Sequence, residues 1–252
     1  MEQRSQRVEP AEAQEIYEGV FRVVDPKEPR RKLLATMNLT PGRSLYGERL
    51  VLARIAGKNV EFRLWDPFRS KLSAAVLKGM QFFPFRKGST CLYVGASTGT
   101  TVSHVSDILG ISGKIFAVEI SSRVAREFLQ NVVKYRQNIV PIIADARQPE
   151  RYSSIYGKVD SIYFDIAQPD QTEIAISNCE MYLREESKEG RESPSGTLVL
   201  VIKANSIDAL KPKKEVFAKQ SETLRKSGFE ILEQIDLQPY DKNHAIIVAR
   251  RR

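Results

Sequence analysis

Between residues 90 and 249 the chain repeats one pattern, in which a short apolar run is followed by a stretch with helical periodicity and then by another apolar run. The runs are Thr90 to Val94, Lys114 to Ile120, Ile139 to Ala144, Val159 to Ile166, Thr197 to Lys203, Phe229 to Leu237 and Ala245 to Ala249. Apolar runs joined by helix-length connections make parallel strands, because a parallel neighbour needs a long crossover. The last two runs are the exception, with only Gln238 to His244 between them. So short a connection closes an antiparallel pair. The pattern therefore predicts an α/β chain with a mostly parallel seven-stranded sheet and an antiparallel last strand. The helix after the first run turns Val102, Val105 and Leu109 inward; the next aligns Val124, Phe128 and Val132, with Leu129 and Val133 beside them.

The first 65 residues read differently. Ile16 to Val24, Lys32 to Leu39, Ser44 to Ile55 and Asn59 to Trp65 alternate as strands. Turn signals separate them at Asp25-Pro26, Thr40-Pro41-Gly42 and Ala56-Gly57-Lys58. Four or five such strands form a small β-rich N-terminal domain, residues 1–65, with little core of its own. It must lean on the larger domain, residues 66–252. Composition supports a folded chain, with 42% hydrophobic and 28% charged residues. No apolar run nears the roughly 20 residues of a membrane helix, and the polar start lacks a secretory h-region, so a soluble intracellular protein with no membrane contact is expected. Two cysteines, Cys91 and Cys179, and two histidines, His104 and His244, leave no set of zinc ligands. No metal is expected. The net charge of +8 fits a polyanionic partner. The charged stretch Arg184 to Ser195 reads as a surface loop.

The first run ends in Gly95-Ala96-Ser97-Thr98-Gly99-Thr100-Thr101 and then opens a helix. Small residues there let a ligand approach the backbone, and free amides at a helix start face polar ligand atoms. Glu119 ends the second run, where an acid accepts hydrogen bonds from a ribose diol. Asp145 ends the third, a position suited to an adenine amino group, and Asp165 ends the fourth. Three acidic strand ends on one edge need a ligand or solvent to satisfy them. Gly95 to Gly99 also fits the G-x-S-x-G elbow of hydrolases, but those acidic ends would then go unexplained. The second glycine of a dinucleotide fingerprint is absent. The outline matches a Rossmann-like, class I S-adenosylmethionine-dependent methyltransferase.

Four residues stand where chemistry would occur: Lys71 at a helix start, Asp165 and Lys203 at strand ends, and His244 at the start of the final strand. Taken alone, Lys71 reads more often as a solvated helix residue and His244 as a turn residue capped by Asp241, and His104 reads as packing or bonding locally in the first helix. Longer stretches are more specific. These are Trp65-Asp66-Pro67-Phe68-Arg69-Ser70-Lys71-Leu72, Gly99 to Asp107, Asp165-Ile166-Ala167-Gln168-Pro169-Asp170-Gln171-Thr172 and Ile202-Lys203-Ala204. On them the chain resembles the fibrillarin family, in its archaeal form, over essentially its whole length.

The resemblance implies transfer of a methyl group from S-adenosylmethionine to a ribose 2′-hydroxyl of pre-rRNA or tRNA, with S-adenosylhomocysteine as product. It implies a catalytic tetrad of Lys71, Asp165, Lys203 and His244. Cofactor contacts would fall on Gly95, Ala96, Thr100, Thr101, Glu119, Ile120, Asp145, Ala146, Asp165, Ile166, Ala167 and Gln168. The implied partners are a C/D guide RNA with its target, a Nop-family scaffold protein and a kink-turn-binding ribosomal-type protein. Lacking the Gly/Arg-rich extension of eukaryotic members, the chain is expected in an archaeal cytoplasm. A weak hydroxyl nucleophile needs positioning and a base, and lysine is a base only when neutral; Lys203 is the expected base. The alternatives are a nucleobase or protein amine methyltransferase, or a catalytically silent assembly subunit. The first often carries an aromatic residue after strand four, where this chain has Asp165-Ile166-Ala167-Gln168.

Overall fold

The computed structural model describes residues 10–25, 27–28, 30–152, 154–185 and 196–251. The stretch 186–195, expected as a charged surface loop, lies outside them. Five strands open the chain: β1 (Gln14–Tyr17), β2 (Val20–Val24), β3 (Lys32–Met37), β4 (Leu50–Ile55) and β5 (Lys58–Leu64). They form one antiparallel sheet in the order β1-β2-β3-β5-β4.

Three boundaries differ from the expected ones, each for a local reason. The run Ile16 to Val24 is two strands, broken at Gly19. Gly19 has φ +78°, and a Cβ there would lie 3.0 Å from the Cα of Ile108. Ser44 to Arg49 is a knot instead of the start of β4. The Glu48 carboxylate accepts hydrogen bonds from Leu45 N at 2.9 Å and Tyr46 N at 2.8 Å, and from Ser44 Oγ at 3.0 Å. A carboxylate that satisfies consecutive amides competes with a strand ladder. The third strand stops at Met37, where the Asn38 side chain accepts from Thr40 N at 2.9 Å.

The larger layer follows in βα order. After α1 (Lys71–Leu77) come β6 (Thr90–Val94), α2 (Thr100–Leu109), β7 (Lys114–Glu119), α3 (Ser122–Asn131), β8 (Ile139–Ile143), β9 (Ser161–Phe164) and α4 (Gln171–Tyr182). The chain ends in β10 (Thr197–Lys203), α5 (Ala204–Ile207), α6 (Lys213–Lys226), β11 (Phe229–Asp236) and β12 (His244–Arg251). The sheet order is β11-β12-β10-β9-β6-β7-β8. Only β12 runs against its neighbours, as the short final connection requires. Central strands such as β10 are apolar on both faces because helices cover both sides. No helix among the described residues is long and apolar enough to cross a membrane.

The five-stranded sheet keeps a core of its own around Phe21, Val23, Ala35, Val51, Ala53 and Phe62. Its other apolar residues, Val20, Leu34 and Leu45, join the core that holds Val102, Val105 and Leu109 of α2. A fully buried polar network crosses the same seam. Arg63 of β5 donates to Asp107 Oδ2 at 2.7 Å and reaches Glu48 at 2.5 Å, while Arg136 donates to Asp107 Oδ1 at 2.8 Å. Two guanidiniums share the Asp107 carboxylate, so no charge is stranded in low dielectric. His104 sits beside them with its ring stacked on Trp65, centroids 5.2 Å apart. It bonds outward to Thr36 Oγ1 at 2.7 Å and Tyr46 Oη at 2.6 Å, not locally within α2 as expected.

Candidate active site

The glycine-bearing loop between β6 and α2 is pressed against the end of β9. A Cβ on Gly95 would stand 2.3 Å from the carbonyl oxygen of Asp165, and φ is +88° there, so glycine alone fits. Gly99, φ +101°, is equally constrained, its Cβ position lying 2.5 Å from Val132 Cγ2 and 2.7 Å from Phe128 Cδ2. The stripe on α3 thus fixes where α2 begins. Glu119, at the end of β7, is oriented by two backbone amides. Ser97 N donates to Oε2 at 2.8 Å and Ser121 N to Oε1 at 2.9 Å.

A cleft of about 230 Å³ opens along these strand ends. It collects nine of the residues expected around a cofactor: Gly95, Glu119, Ile120, Asp145, Ala146, Asp165, Ile166, Ala167 and Gln168. Three stand off it. Ala96 is buried, Thr100 does not line the cleft, and Thr101 turns away to donate to Ser70 Oγ at 3.0 Å. Five lining residues were not anticipated: the apolar Val94, Val118 and Ala144, and the polar Ser97 and Arg147. Ser97 holds φ +51°, which the sequence does not announce. Arg147 spans the rim, donating to Gln168 Oε1 at 2.9 Å and Asp170 Oδ1 at 2.8 Å, partners more than 20 residues away.

At one end of the cleft the expected polar residues converge. Ser70 caps α1 by accepting from Ser73 N at 3.3 Å, which sets Lys71 at the helix start. Lys71 Nζ donates to Asp165 Oδ2 at 3.2 Å, and Lys203 Nζ pairs with Oδ1 at 2.8 Å. Burial pushes the Asp165 carboxyl up, but the ammoniums of Lys71 and Lys203 outweigh it and hold it below the ordinary carboxylate range. His244 lies directly across the β10–β12 ladder from Lys203. Its Nδ1 is bonded to Asp241 Oδ1. One carboxylate between two cations, at the edge of an adenosine-sized cleft, suits transfer to an alcohol that must give up a proton.

A seven-stranded sheet wound in this order, with its single reversed strand, is the class I S-adenosylmethionine-dependent methyltransferase fold. Within that class a family model described as Fibrillarin matches residues 11–252, and the chain belongs to the fibrillarin family. It is 45% identical over 238 residues to the fibrillarin-like rRNA/tRNA 2′-O-methyltransferase of Pyrobaculum calidifontis, covering 94% of this chain and 95% of that protein. The structure of Aeropyrum pernix fibrillarin in complex with natively bound S-adenosyl-L-methionine superposes with a TM-score of 0.80 at 40% identity, covering 94% and 97% of the two chains. A fibrillarin/Nop5p complex matches with a TM-score of 0.78 at 36% identity, covering 95% and 100%.

Proposed function

We propose that this chain is an RNA ribose 2′-O-methyltransferase that acts on guide-selected nucleotides of pre-rRNA and tRNA within a C/D ribonucleoprotein. The observation that carries the reading is the Asp165 carboxylate bridging Lys71 and Lys203 beside the cleft. The cleft suits the cofactor because Gly95 lets the loop close onto the Asp165 carbonyl, which holds the backbone that walls the cleft, and Glu119 is already aimed by two amides. Glu119 would accept the ribose diol and Asp145 the adenine amino group. S-adenosylmethionine, when bound, supplies an electrophilic sulfonium methyl.

The chain's own residues handle the acceptor. Two ammoniums share one carboxylate, so loss of one proton still leaves a neutral Lys–Asp pair. Lys203, the closer partner and the one opposite His244, first releases its own ammonium proton to solvent and then, as the free amine, takes the proton from the 2′-hydroxyl. Lys71 keeps Asp165 paired through that exchange. Asp241 fixes Nδ1 of His244, leaving Nε2 as the nitrogen that orients the hydroxyl or relays its proton. A Nop-family scaffold recruits the chain, while a kink-turn-binding protein and a guide RNA select the nucleotide.

The test is methyl transfer from labelled S-adenosylmethionine in a reconstituted particle, with the product nucleoside identified by mass spectrometry. A 2′-O-methyl at the guided nucleotide, lost in Lys203→Ala, is the expected result. A methyl on a base would overturn the assignment, and full transfer by Lys203→Ala would remove that residue from the proton path.

A further inference from the structure

A second groove, about 590 Å³ and more than twice the size of the cofactor cleft, runs between the five-stranded sheet and the start of α1. Along the chain it borders the reactive cluster at two points. Arg69 lines it two residues before Lys71, and Tyr240 lines it next to Asp241, the partner of His244. Its most conspicuous side chain is Phe68, 70% exposed to solvent. The Phe68 ring meets that of Tyr240 edge to face, centroids 5.3 Å apart. The guanidinium of Arg69 lies over the Tyr46 ring, 4.5 Å from its centroid.

The charges in the groove sort themselves. Asp25 is taken by Arg49 at 2.7 Å and Glu48 by the buried Arg63. With those pairs neutral and Arg31 facing Glu28 at 3.8 Å, Lys32 and Arg69 still outnumber the remaining Asp66, and the lining is basic. A basic channel with an exposed aromatic face is how proteins track a nucleic-acid strand, cations on phosphates and rings on bases or sugars. An acceptor ribose held at Lys203 must continue into a neighbouring nucleotide, and the groove is bounded by the segments that carry Lys71 and Asp241, joined where the Phe68 and Tyr240 rings meet.

We propose that the groove seats the target RNA strand beside the acceptor nucleotide, with Phe68 and Tyr240 packing against the neighbouring nucleotide and Arg69, Arg31 and Lys32 meeting its phosphates. This rests on the RNA methyl-transfer reading and adds a positioning subsite to it. Phe68 has no core to support, so its removal leaves the fold intact. The loss of one aromatic contact raises the KM for RNA on the order of tenfold, while kcat and the KM for S-adenosylmethionine stay put.

The experiment uses the assembled particle, with wild type, Phe68→Ala and a chain carrying Phe68→p-benzoylphenylalanine. Expected are the raised RNA KM in Phe68→Ala and a photo-crosslink from position 68 to the target strand. An unchanged RNA KM, or a crosslink to the scaffold protein instead of RNA, overturns the proposal. Failure of the wild type to methylate ribose, with the crosslink to target RNA still formed, would sink the chemical reading and leave the subsite standing.

Discussion

His104 makes acid sensitivity a readable property of the seam between the two sheets. The hydroxyl proton of Thr36 goes to Asp107 Oδ2 at 2.8 Å, so Thr36 Oγ1 accepts from His104 Nδ1, and the Tyr46 hydroxyl donates to Nε2. The neutral ring is fully satisfied. A second ring proton would replace the Tyr46 bond with a clash of donors and add a cation next to Arg63 and Arg136. Burial first, then those two guanidiniums, hold the imidazole pKa well below its usual value. The unfolded chain still takes up this proton near pH 6.5. With the folded value depressed, stability is complete above that pH and is lost as pH falls. As long as the folded ring stays neutral, the cost approaches the linkage limit of about 1.4 kcal/mol per pH unit below pH 6.5. Guanidinium unfolding followed by circular dichroism at steps from about pH 7.5 to 4.5 would measure it, for wild type and for His104→Gln. The wild type should lose stability about 1.4 kcal/mol per unit faster than the variant below pH 6.5. Parallel pH profiles for the two proteins would refute the argument.

Gly95→Ala drives a methyl group into the Asp165 carbonyl, 2.3 Å away, and should weaken S-adenosylmethionine binding by about tenfold or more in calorimetry, with the circular dichroism spectrum retained. Asp165→Asn leaves two ammoniums facing an uncharged amide; methyl transfer in the assembled particle should fall by roughly a hundredfold or more, with the circular dichroism spectrum retained. Arg63→Met strips Asp107 and Glu48 of a buried partner and should cost about 3–5 kcal/mol in chemical denaturation.

The sequence reveals those parts of the fold that local rules determine. The reversed final strand followed from the length of one connection, and the cleft from a small-residue loop and acids at strand ends. Asp165, Lys203 and His244 stood out because strand ends of one sheet converge and Lys71 because it opens a helix, but it was the resemblance that joined the four as a tetrad. What stayed hidden depends on distant partners. His104 is satisfied by Thr36 and Tyr46, 68 and 58 residues earlier, and no periodicity in α2 signals that. Arg147 is assigned to the rim by Gln168 and Asp170 alone. The Glu48 knot masquerades as a strand because it runs straight into the apolar residues of β4, while a side chain captures the amides a ladder would use.

The reversal of β12 has a practical corollary. A strand parallel to β10 would have delivered its last residue to the reactive edge; this one delivers its first, His244, and then travels away from it. Eight residues at about 3.3 Å each carry the backbone roughly 25 Å, to the opposite rim, where Arg251 pairs with Phe229. A fluorophore or surface tether fixed at Arg251 therefore sits at the rim opposite Lys203 and His244. Protein immobilised there keeps its reactive edge open to solvent.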